Sequence, residues 1–141
     1  MELITTHTHT CFTNHGEGTV EELVSAAVAA GVSTIAVTEH YPMTATFDPD
    51  RYLSMPAERM GEYLAAVEAA REAHPEIEVL VGCEMDWLGD DEDRVITAED
   101  VAPFQLILGS VHLVDRWPFD DPAQRGRWDE VGADDIWRRY F

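Results

Sequence analysis

The apolar positions along the chain change period several times, and each change marks an element. Leu3 and Ile4 open a short β-rich run, Glu2 to Thr5, which gives way to the polar loop "HTHTCFTNHGEG". Thr19 followed three residues later by Glu22 is a capping box. Beyond it Val20, Leu23, Val24, Ala27 and Val28 recur at helical spacing until Gly31 stops the helix. "STIAVTEH" predicts a buried strand. After a Pro-rich loop, the stretch Pro56 to Ala73 predicts a second helix with Met60, Tyr63, Leu64 and Val67 on one face, ended by His74-Pro75. "IEVLVGCEMDW" is a third strand and "FQLILGSVH" a fourth. Between Asp86 and Pro103 only "TAED" offers a helix start. "DDIWRRYF" places Asp134 and Asp135 as N-cap and first-turn acids, with Ile136 and Tyr140 four apart, so it predicts the start of a further helix.

Strand, helix, strand, helix, strand, strand implies parallel strands joined by crossovers, the α/β class. In such a sheet or barrel the C-terminal ends of the strands open on one face, where sites are built. His7 and His9 follow the first strand, His40 closes the second, Glu84 lies near the end of the third, and His112 ends the fourth. Residues i and i+2 of an extended segment point the same way, so His7 and His9 can face one ion. His15 can enter from the loop. An isolated His-x-His is more often a polar loop than a ligand pair, and an isolated Glu or His at a strand end has a plain structural explanation too. Five of the six histidines gathered at strand ends and in the first loop are not a random scatter. Neutral imidazole with carboxylate is a ligand set for Zn, Mn, Fe or Co. His74, at a helix C-terminus, stays outside the site, and Cys11 is a bystander. Glu39 points away if the strand persists, whereas Asp86 and Ser110 lie closer to the ligand face, where they can orient ligands.

Composition narrows the partners. At 141 residues and 45% hydrophobic, the chain suits one packed domain. It has no lysine, and 9 basic against 28 acidic residues give a formal charge of −19, which opposes binding to nucleic acid or anionic membrane. A small phosphorylated metabolite is not excluded, because bound divalent ions reverse the local field. The run "GDDEDR" is expected to be solvated surface. Cys11 and Cys83 form neither a disulfide framework nor a zinc knuckle. No leader sequence opens the chain, and the run Leu23 to Val37 is broken and too short to span a membrane, so a cytoplasmic protein is expected. There is no P-loop, no Cys-x5-Arg loop and no convincing Ser, His and Asp triad. Two ions about 3.5–4 Å apart, sharing a hydroxide, would hydrolyse a phosphate ester without a protein nucleophile. Arg51 and Arg116 are the candidate phosphate contacts.

"THTHTCFTNHG", "TEH", "GCEMDW" and "GSVH" resemble, in order and over the whole chain, the successive motifs of the PHP (polymerase and histidinol phosphatase) metal-dependent phosphoesterases. "GSVHLVDRWPFDDP" resembles the histidinol-phosphatase branch. The resemblance implies a distorted (β/α)7 TIM-like barrel with two or three divalent ions, Zn, Mn or Fe, on its C-terminal rim. It further implies that His7 and His9 hold one ion, that Glu84 bridges it to a second held by His112, and that His15 and His40 hold a third. Glu84 and His112 are then the catalytic pair. The implied reaction is hydrolysis of L-histidinol phosphate in histidine biosynthesis. Sister activities on phosphotyrosine or nucleotides, or a non-catalytic metal-binding module, are the alternatives. An amidohydrolase also opens with His-x-His, but many of those bridge their metals with a carboxylated lysine, which this chain lacks. Four strands are too few to close a barrel, and nothing after His112 matches the family's later His and Asp-x-His motifs. The 141 residues are therefore expected to be about the first half of a longer PHP domain, with weak metal binding and little activity alone.

Overall fold

A computed structural model describes residues 2–88 and 96–141. The run "GDDEDR" lies outside the described residues. Four strands form one parallel sheet in the order β1 (Leu3–Thr5), β2 (Val32–Val37), β3 (Glu78–Asp86) and β4 (Leu106–Ser110). With its helices the sheet curls into a half-barrel. Helix α1 (Val20–Ala29) follows β1, and α2 (Met60–Ala73) follows β2 after a 3-10 turn at Ala57–Arg59. The short α3 (Ala98–Val101) precedes β4 and grows from the Thr97 capping box in "TAED".

Local chemistry sets these boundaries. The Thr19 hydroxyl accepts the Glu22 N–H at 3.1 Å while the Glu22 carboxylate accepts the Thr19 N–H at 2.8 Å, so α1 starts where both free backbone donors are satisfied. At its other end Gly31 takes φ +76°, a left-handed conformation that β-carbons disfavour. The apolar faces of α1 and α2 pack on one face of the sheet, where Val24, Ile35, Val37, Tyr63, Val67 and Val79 form one buried cluster. Each such side chain contributes about 1.5–3 kcal/mol when fully removed from water.

One contact at the heart of this core bears on the site. The β2–β3 ladder runs in register from Thr34↔Glu78 to Val37↔Val81. Just beyond, the buried Tyr63 hydroxyl lies 2.7 Å from both the Val37 and Gly82 carbonyls. A β-carbon at Gly82 would meet Thr38 Cγ2 at 2.7 Å and the Val37 carbonyl oxygen at 2.9 Å, so only glycine lets the strands approach there. Pairing resumes one step further on, at the bridge between His40 and Glu84. The Glu84 N–H donates to the Glu39 carbonyl at 2.9 Å and the Tyr41 N–H to the Glu84 carbonyl at 2.8 Å.

After β4 the chain forms a small antiparallel hairpin, β5 (Leu113–Val114) and β6 (Trp117–Pro118), absent from the sequence expectation. Its turn residues Asp115 and Arg116 take φ +52° and +63°. Positive φ at both central positions is the geometry that Asn-Gly normally signals, and Asp-Arg carries no such signal. Two helices follow, α4 (Gly126–Val131) and α5 (Ala133–Tyr140). Gly132 is the N-cap of α5, so Asp134 and Asp135 both fall in its first turn and neither caps it. Ile136 is fully buried, and Phe119, Trp128, Trp137 and Tyr140 stack edge-on or tilted around the hairpin. At the sheet edges Leu3, Ile4 and Ile107 are exposed. No helix among the described residues is long and apolar enough to cross a membrane.

Replacing Tyr63 by Phe keeps the ring and removes the hydroxyl shared by two buried carbonyls. A loss of about 1–3 kcal/mol in urea unfolding is expected. A change below about 0.5 kcal/mol would show that the hydroxyl does not tie β2 to β3.

Candidate metal centre

The chain leaving β1 stays extended because β2 holds it. Thr8 donates its N–H to the Thr38 hydroxyl at 3.0 Å and its own hydroxyl to the Ala36 carbonyl at 2.8 Å, while the Thr38 N–H returns a bond to the Thr8 carbonyl at 3.0 Å. With Thr8 turned to β2, the alternation of an extended backbone sends His7 and His9 together to the other side. The β2–β3 bridge sets His40 beside Glu84. His112 lies past the end of β4 and is fixed by Asp86, whose carboxylate accepts its backbone N–H at 3.0 Å and lies 2.7 Å from its ring Nδ1.

These side chains converge on the Glu84 carboxylate, which is 2% exposed. Its Oε2 lies 2.8 Å from His7 Nε2, 3.0 Å from His9 Nε2 and 3.6 Å from His40 Nε2, and its Oε1 lies 3.5 Å from His112 Nε2. His15 completes the cluster from the loop. Potential ligand atoms lie within 4.8 Å of one another in each of three overlapping groups: His7, His9 and Glu84; His40, Glu84 and His112; and His9, His15 and His40. The His9 and His40 rings stack at 4.6 Å.

Electrostatics follow from burial and from this company. Burial alone would raise the Glu84 pKa, but hydrogen bonding from His9 and His7 and the neighbouring His40 outweigh it and hold the carboxyl at about 2. Burial pushes His40 down to about 4, against the pull of Glu84, so its ring is neutral at neutral pH. Burial lowers His15 as well, and the bond to Asp86 raises His112. Among the described residues, the groups paired with Glu84 are all imidazoles. Ring nitrogens of His7 and His9 only 3.1 Å apart, both turned to one buried carboxylate, suit a divalent ion that accepts nitrogen and oxygen donors. No thiolate belongs to any of the three groups, and Cys11 is exposed.

The other sequence candidates divide. Arg116, on the tip of the β5–β6 hairpin, stands 5.3 Å over the Phe47 ring and lines a cleft of about 650 Å³ together with His15, His40, Tyr52 and His112. Arg51 pairs with Glu58 on the surface and does not line that cleft. His74 bonds Glu21 at 2.7 Å and lies outside the cluster. Ser110 contributes a buried hydroxyl with no hydrogen-bond partner among the described residues. Glu39, expected to point away, is instead fully buried with its Oε2 3.9 Å from His9 Nδ1, and its Oε1 accepts both the N–H and the hydroxyl of Thr10, each at 2.7 Å. That link to the residue after His9 was not legible in the sequence, because no local pattern pairs positions 29 apart.

A match to the PHP domain extends over residues 5–141. The chain belongs to the PHP domain family. This PHP domain is 30% identical over 140 residues to a "Probable histidinol-phosphatase" of Deinococcus radiodurans, a stretch that covers 99% of the chain and 53% of that protein. Its fold is similar to a "putative histidinol phosphatase" of Listeria monocytogenes, with a TM-score of 0.70 and 24% identity over 77% of the chain and 44% of the other. It is also similar to the histidinol phosphate phosphatase of Lactococcus lactis, solved with Zn, L-histidinol and phosphate, at TM-score 0.59 and 22% identity over 82% of the chain and 42% of the other. At such identities the two structures speak to the fold, of which this PHP domain supplies four parallel strands. The chain spans about half the length of the relatives it matches.

The depressed His40 gives the metal-free PHP domain a pH dependence of known sign. An unfolded histidine binds its proton near pH 6.5, whereas folded His40 refuses it down to about 4, so its contribution is complete above 6.5 and lost as pH falls towards 4. His112 acts in the opposite sense, its contribution being complete at low pH and fading as pH rises. The urea midpoint of chelator-treated protein is expected to drop from about pH 7 to about pH 5, and less steeply in His40→Gln. An equal drop in both proteins would contradict the burial of a neutral His40.

Proposed function

We propose that this PHP domain binds two or three divalent ions, Zn, Mn or Fe, and serves a metal-dependent phosphomonoesterase that hydrolyses L-histidinol phosphate to L-histidinol and phosphate, a cytoplasmic step of histidine biosynthesis. The observation that carries the reading is the convergence of four imidazoles on the buried Glu84 carboxylate beside a cleft lined by Arg116. His7 and His9 would hold one ion with Glu84, His112 a second beside the same carboxylate, and His15 with His40 a third. Such ions, when bound, neutralise phosphoryl oxygens and lower the pKa of water to roughly 7. Glu84 would supply the negative charge shared by the ions, His112 keeps its place through Asp86, and Arg116 on the hairpin tip would meet the phosphate. The relative's name and the L-histidinol and phosphate of the Lactococcus lactis structure support the choice of substrate.

Phosphate release by the intact protein tests this reading. Chelation is expected to abolish turnover of L-histidinol phosphate, Zn, Mn or Fe to restore it, and phosphotyrosine and nucleotide monophosphates to be turned over far more slowly. Activity that survives in metal-free protein would require a covalent mechanism, and stoichiometric metal with no turnover would make the domain a binding module. Glu84→Gln is expected to reduce turnover to background with the circular dichroism spectrum unchanged, because losing one bridging charge weakens two ions together. Unaltered activity would remove Glu84 from its role.

A further inference from the structure

Behind the histidines, four buried polar atoms face one another in pairs. His9 Nδ1 lies 3.9 Å from Glu39 Oε2, and His40 Nδ1 lies 3.9 Å from Asp86 Oδ2. All four are buried, and none has a hydrogen-bond partner among the described residues. In a third pair the contact is closed: His112 Nδ1 is 2.7 Å from Asp86 Oδ1. An ionised carboxylate only accepts, so the His112 ring carries its proton on Nδ1.

Neither acid is free to turn elsewhere. Oε1 of Glu39 is held by both donors of Thr10 at 2.7 Å, which leaves Oε2 directed at His9. Oδ1 of Asp86 is held by the backbone and ring of His112, which leaves Oδ2 directed at His40. On the opposite side of the same three rings, the Nε2 atoms lie 3.0, 3.6 and 3.5 Å from the oxygens of Glu84. Each imidazole therefore has one nitrogen towards the shared carboxylate and the other towards an acid beneath it.

We propose that Glu39 and Asp86 are positioning residues that receive the Nδ1–H of His9 and of both His40 and His112, respectively, and so present all three Nε2 atoms as ligands. This rests on the metal-binding reading above. A proton fixed on Nδ1 leaves the Nε2 lone pair bare, and a carboxylate behind the ring makes that nitrogen a stronger donor. The two acids differ in reach: Glu39 serves one ligand, from the segment after β1, whereas Asp86 couples ligands from the end of β2 and from beyond β4.

The test is a long-range proton–nitrogen correlation spectrum of 15N-histidine-labelled intact protein, loaded with Zn2+, together with zinc affinity by competition with a chromogenic chelator. Zinc is expected on Nε2, and the proton on Nδ1, of His9, His40 and His112. Glu39→Gln keeps an oxygen for Thr10 but turns an amide NH2 towards His9 Nδ1, so the His9 signals alone should change. Asp86→Asn should change His40 and His112 together, and zinc affinity should fall roughly 10–100-fold in each variant. Zinc on Nδ1 of these rings, or affinities within about twofold of the parent in both folded variants, would overturn the proposal. Where a variant fails to fold, the parent spectrum decides. A parent that binds no zinc would refute the metal reading, and the proposal would then stand or fall on the zinc-free spectrum: His112 protonated on Nδ1 supports the Asp86 assignment, and on Nε2 overturns it.

Discussion

A carboxylate buried at the end of a parallel strand, with imidazoles as its surroundings, is the constraint around which this domain is built. Removing an ionised acid from water is costly unless its charge is answered. Among the described residues no arginine pairs with Glu84, and the chain has no lysine to offer. Four ring nitrogens lie within 3.6 Å of the Glu84 carboxylate, and they arrive from three segments of the chain. Against its burial, hydrogen bonding from His9 and His7 and the neighbouring His40 hold the Glu84 carboxyl at about 2. A formal charge of −19 suits a site that gathers cations, and bound divalent ions would reverse that field locally for an anionic ligand.

The sheet delivers this arrangement because the strands are parallel and in fixed register. Glu84 pairs with Leu108 on one side and meets His40 on the other, and the Tyr63 hydroxyl and the bare backbone of Gly82 set the approach of β2 to β3 just before that bridge. A shift of one residue at this level would turn Glu84 to the opposite face. The core packing of α2 and the geometry of the site are thus joined through a single side chain.

Much of this was legible in the sequence for physical reasons. The four strands, the α1 capping box and the two-residue alternation at His7 and His9 are local patterns, and the strand-end rule turns them into a shared rim. The β5–β6 hairpin was not legible, because its strands are two residues each and its turn uses Asp115-Arg116 at positive φ in place of Asn-Gly. The placement of Arg116 on the cleft and of Arg51 away from it depends on that hairpin and on the surface pair with Glu58, and neither has a periodic signature. Alternation alone assigned Glu39 a direction away from the site, whereas its partnership with Thr10 and its approach to His9 belong to tertiary structure.

The central claim, that these imidazoles and Glu84 form a nitrogen and oxygen site for divalent ions, is open to one direct measurement: X-ray absorption fine structure at the zinc edge of the zinc-loaded protein. The account predicts a first shell of imidazole nitrogen and carboxylate oxygen at about 2.0–2.2 Å with multiple-scattering features of histidine. A sulfur shell at about 2.3 Å, which would bring in Cys11 or Cys83, or a shell without histidine features, would contradict it.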